Sequence, residues 1–74
     1  MNHAEMLRTN WSQLRPKLRA TWMSLTDKEV AMIDGDWDTL MELLKEKYSY
    51  SAVQAESQIE NFLEQNGVTT VANN

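Results

Sequence analysis

Residues 25–37, LTDKEVAMIDGDW, compress a helix start, a helix stop and a second helix start into thirteen positions. Thr26 can cap a free backbone N–H while Glu29, three residues on, reaches back to the cap, the reciprocal pattern of a capping box. Leu25 and Val30 stand at the flanking staple positions. Gly35 suits the left-handed residue that ends many helices, and Asp36 suits the cap of the next. One glycine between two short helices makes a sharp corner, and Ile33 and Trp37 then turn into a shared interior. A chain built on such a corner is committed to short helices folded back on one another.

The remaining apolar residues keep the helical period. Trp11, Leu14, Leu18, Trp22 and Leu25 step by three and four, but Pro16 biases Arg15 away from the helical region and removes a donor. A turn near residues 11–14 and a helix restarting at Pro16 are therefore expected. Trp37, Leu40, Met41, Leu44 and Tyr48 form the next stripe, with Leu43 on its flank. Asp38 suits the first turn of that helix, and Lys45 and Lys47 suit its last. Ser51 and Gln54 offer a second capping box, with Tyr50 and Ala55 at the staple positions. Ala52, Ala55, Ile59, Phe62 and Leu63 then make an inward face that Asn66 and Gly67 end. The expected fold is all-α, a small four-helix domain of two short helical hairpins packed across each other. It runs over 8–67, between a flexible amino terminus at 1–7 and a disordered tail at 68–74.

Size makes the large apolar residues matter. A chain of 74 residues buries only ~60% of the surface it exposes when unfolded. It has no cysteine for disulfides or thiolate metal sites. Trp22 and Trp37 are accordingly expected as core anchors, each worth about 3–5 kcal/mol on truncation to alanine. The longest apolar run is VAMI, far short of a membrane span, and MNHAEMLRTNW lacks the order of a secretory signal. No membrane association and a cytoplasmic location are expected.

Charge is unevenly placed. Arg8, Arg15, Lys17 and Arg19 against Glu5 make residues 1–24 positive by three, whereas residues 25–74 are negative by seven, for a net −4. The overall sign argues against nucleic acid or an anionic membrane surface as the main partner. The basic segment keeps one alternative open, with Arg15, Lys17 and Arg19 contacting phosphates beside tryptophan rings. On the last helix Glu56, Glu60 and Glu64 recur at four-residue spacing. They are either a docking face for a basic protein partner or a solvated helix face.

No catalytic, cofactor-binding or metal-ligating residue is assigned. Asp34, Asp36 and Asp38 alternate as in a calcium loop, but Thr39 and Lys45 stand where that loop needs glycine and glutamate. Helix-end roles explain these acids. His3, the single histidine, has no neighbour in sequence that would hold it as a general base. Two glycines cannot build a phosphate-cradling loop.

Three segments, NWSQLRPKLRATW, LTDKEVAMIDG and LLKEKYSYSAVQAESQIENFL, together resemble the CsbD-like family of small bacterial general stress proteins. Trp11, Trp22, Leu25, Thr26, Asp27, Gly35, Leu40, Tyr48 and Ala55 carry the resemblance, which covers residues 8–63. Where that family often has glycine, this chain has Pro16, Met23, Glu42 and Ser49. The resemblance implies a bacterial, cytoplasmic, compact helical protein of the stress response, with no enzymatic activity or site residues to transfer. A non-enzymatic module acting through protein contacts is the expected function, and a nucleic-acid-associated protein is the alternative.

Overall fold

Each of the expected caps forms, and each fixes the start of a helix. The computed structural model describes residues 2–68. Among these it holds five helices and no strand: α1 (His3–Thr9), α2 (Trp11–Thr21), α3 (Asp27–Ile33), α4 (Trp37–Tyr48) and α5 (Ala52–Gln65). At α3 the Thr26 N–H donates to Glu29 Oε1 at 3.0 Å and the Glu29 N–H donates to Thr26 Oγ1 at 3.1 Å. Ser51 and Gln54 make the same reciprocal pair at 3.0 and 3.1 Å at α5. Asp36 Oδ2 accepts from the Thr39 backbone N–H at 2.9 Å and from the Thr39 hydroxyl at 2.8 Å, opening α4.

Two expectations are corrected. The terminus expected to be flexible forms α1, capped by Asn2, whose side chain accepts from Glu5 N–H at 2.8 Å. A seven-residue helix is marginal alone. Met6 and Leu7 hold it by entering the core. The expected turn at 11–14 is absent too, because α2 runs unbroken through Pro16. Leu14, Leu18 and Trp22, buried on both sides of the proline, keep the backbone helical, while Pro16 itself faces outward. The Ser12 carbonyl thereby loses its usual donor.

The fold is a cycle with one added layer. α1 packs on α2 and α4, α2 on α3, α3 on α4, and α5 lies on α4. The sequence therefore yields five helices centred on α4 rather than four. The core consists of apolar side chains from all five, with Trp22 tilted against Phe62 at a centroid distance of 5.1 Å and joining the end of α2 to α5. Trp11 and Trp37 are only half-buried at its edge. Ala52, expected to face inward, is exposed; Ala55, Ile59, Phe62 and Leu63 carry the inner face of α5. The radius of gyration, 11.6 Å, is close to the ~11 Å expected for a compact chain of this length, so the helices form one body.

Helix ends use left-handed residues. At the corner both Asp34 (φ 45) and Gly35 (φ 79) are left-handed, so the turn takes two such residues where one glycine was expected. α5 closes with Gly67 at φ 78 and a Val68 N–H donating to the Leu63 carbonyl at 2.8 Å. Val68 is buried, the apolar contact that accompanies this ending. The rest of the expected disordered tail, 69–74, lies outside the described residues.

α4 ends on Ser49, at φ 58 and ψ 31, one of the positions where the CsbD-like pattern often has glycine. A β-carbon in this region costs about 1–2 kcal/mol. Ser49 is exposed and its side chain caps nothing. Ser49→Gly is expected to raise stability by about 1 kcal/mol, read as a higher thermal midpoint.

Candidate functional site

Two surfaces carry the charge asymmetry of the sequence. The first is an open groove between α2 and α3. Ser12, Arg15, Pro16 and Arg19 form one wall at the spacing of a single helix face, and Asp27, Val30 and Ala31 form the other. Arg19 reaches across to pair with Asp27. Its Nε is buried without a hydrogen-bond acceptor. Arg15 is exposed and makes no ion pair among the described residues. The groove thus offers apolar side chains on both walls, one compensated guanidinium and one free one.

Lys17 is not part of this surface. It lies two residues from both arginines on α2, on a different face of the helix. Arg15 and Arg19 are thus brought together without Lys17, and Trp22 has only 3% of its surface exposed and cannot stack on a base.

The second surface is the outer face of α5. Glu56 and Glu64 are exposed and have no cationic partner among the described residues. Glu60 is half-buried, its Oε2 3.5 Å from Nδ1 of His3. The His3 ring stacks over Trp37 at 6.1 Å. His3, expected to be solvated in a frayed terminus, is instead seated between α4 and α5. Sequence spacing could not have shown this, because these groups meet only once α1 folds back. Val53 continues the α5 face one turn before Glu56, and it is 74% exposed.

Other charges hold the fold rather than form a site. Lys47 Nζ lies 2.9 Å from Glu29 Oε1 and 3.4 Å from the Ser24 carbonyl, while Tyr48 Oη accepts from the Ser24 N–H at 3.2 Å. The Thr26 backbone N–H, and then Lys47, hold the Glu29 carboxyl below its ordinary range. The Thr39 hydroxyl and N–H do the same for Asp36, with Arg8 adding a smaller attraction. Lowered folded values mean that both carboxylates stabilise the fold at neutral pH, and that this contribution is lost as pH falls from the unfolded carboxylate range through the folded values. Asp36 thus serves the helix end assigned to it. Among the described residues no group of three or more His, Cys, Asp or Glu is placed to hold a metal ion. No helix among them is long and apolar enough to cross a membrane.

The chain is similar to several small bacterial proteins. It is 34% identical over 53 residues to the UPF0337 protein YjbJ of Escherichia coli O6:H1, covering 72% of this chain and 77% of that one. Against a UPF0337 protein of Pseudomonas aeruginosa it is 30% identical over 60 residues, or 81% and 92% of the two chains. A UPF0337 protein of Bordetella pertussis is 34% identical over 56 residues, covering 76% and 85%. No family model matches the chain. No solved structure matches it either.

Proposed function

This chain belongs to the UPF0337 family of small bacterial proteins, and from that premise we propose that it is a CsbD-like, non-enzymatic stress-response protein of the cytoplasm that acts through protein–protein contacts. The observation that carries the contact role is the outer face of α5. There Glu56 and Glu64 stand exposed and unpaired among the described residues, with an exposed Val53 one turn before Glu56. Val53 adds an apolar side chain to this charged face, and contact surfaces combine both kinds.

The alternative, association with nucleic acid, has less support. Arg15 and Arg19 share the groove wall, but Arg19 is paired with Asp27, Lys17 lies on another face of α2, and the net charge is −4.

Affinity capture from stressed cells of the source bacterium, with and without nuclease, separates the two. A defined protein should remain bound after nuclease, and Glu56→Lys with Glu64→Lys should release it. Capture that vanishes with nuclease would place nucleic acid first, and reproducible turnover by the purified protein would overturn the non-enzymatic reading.

A further inference from the structure

We propose that the groove between α2 and α3 receives the outer face of α5 from a second copy of this chain. This takes up the contact role assigned to α5 and rests on it for the acidic partner surface. The two surfaces match in chemistry. The groove presents Arg15, free of ion pairs among the described residues, beside the apolar side chains of Pro16, Val30 and Ala31. α5 presents Glu56, exposed, and Glu60, held by His3, on the same face as Val53, at the i, i+3 and i+7 spacing by which a helix lies in a groove. Val53 covers the apolar side chains of the groove walls when Glu56 meets Arg15.

The charge distribution favours this orientation. Residues 1–24 are positive by three and the rest negative by seven, so two copies attract when the α2 end of one meets the α5 side of the other. Because the two patches differ, the contact is heterologous. Every copy keeps one groove and one α5 face to offer, which extends into open chains rather than closing a symmetric dimer. Only seven residues line the groove. The contact is therefore small, and a dissociation constant of about 0.1–1 mM is expected at low ionic strength.

Amide NMR spectra of the full chain, recorded from about 0.02 to 1 mM, test this directly. Amides of residues 12–19, 27–31 and 53–60 should shift together as concentration rises, and added salt should reverse the shifts. Arg15→Glu and Glu56→Arg, both at exposed positions, should each remain monomeric when alone. Mixed together they should associate as the natural chain does, because each then presents a complementary charge to the other. Absence of concentration dependence, an unaffected Arg15→Glu, or a mixture that stays monomeric would overturn the inference. A monomeric chain whose α5 still captures a different protein would overturn the self-association alone and leave the contact role standing.

Discussion

Gly35→Ala is expected to lower the stability of the fold by about 2–5 kcal/mol, from two separable causes. The backbone at Gly35 is left-handed at φ 79, where a β-carbon costs about 1–2 kcal/mol. That β-carbon would also sit 3.2 Å from Arg8 Cα and 3.3 Å from Trp11 Cβ. The first of these is main chain of α1 and cannot swing aside, so relief requires moving the junction of α1 and α2, an overpacking cost of about 1–3 kcal/mol. For a domain of this size the thermal midpoint should fall by roughly 10–40 °C.

Gly67 isolates the backbone cause. Its φ is 78, nearly the same, but nothing lies within 4 Å of the position a β-carbon would take. Gly67→Ala should therefore cost only about 1–2 kcal/mol. Thermal unfolding followed by circular dichroism compares the two. Equal losses would mean that the corner does not press on the first two helices.

The same corner shows what local sequence can and cannot convey. Thr26, Glu29, Asp36, Ser51 and Gln54 act on neighbours three residues away, so their caps were legible before any fold was known. Leu40, Leu44, Ile59 and Leu63 repeat at the helical period within long enough helices, and they are buried as that period requires. α1 offered no comparable pattern, since seven residues hold only Met6 and Leu7 as a buried pair. Its existence depends on what α2 and α4 offer it. Pro16 misled for the converse reason, as the burial of Leu14 and Leu18 outweighs a local preference. The close approach of Gly35 to Arg8, the seating of His3 on Trp37 and the groove between α2 and α3 all join residues far apart in the chain. The charged residues of both candidate surfaces were visible in the sequence. Which of them share a face across two helices was not.

The tryptophans turn that distinction into a measurement. Trp22 and Trp37 sit alike in their apolar stripes, and periodicity assigns each the same expected cost. In the fold they differ. Trp22 is 3% exposed, stands at the end of α2 and packs against Phe62 of α5, two elements that chain connectivity does not otherwise bring together. Trp22→Ala is expected to cost about 3–5 kcal/mol, because it removes a large buried ring and leaves a cavity beside Phe62 that the surrounding core can only partly close. Trp37 is half-buried at the core edge with His3 over its ring, so Trp37→Ala should cost only about 1–2 kcal/mol. Domains of this length hold only about 5 kcal/mol in reserve, which would leave the Trp22 variant close to unfolded at room temperature while the Trp37 variant stays folded. Urea unfolding of both variants decides the matter. Equal losses would place Trp37 in the core with Trp22, and a mild loss at Trp22 would show that the contact between α2 and α5 does not hold the layers together.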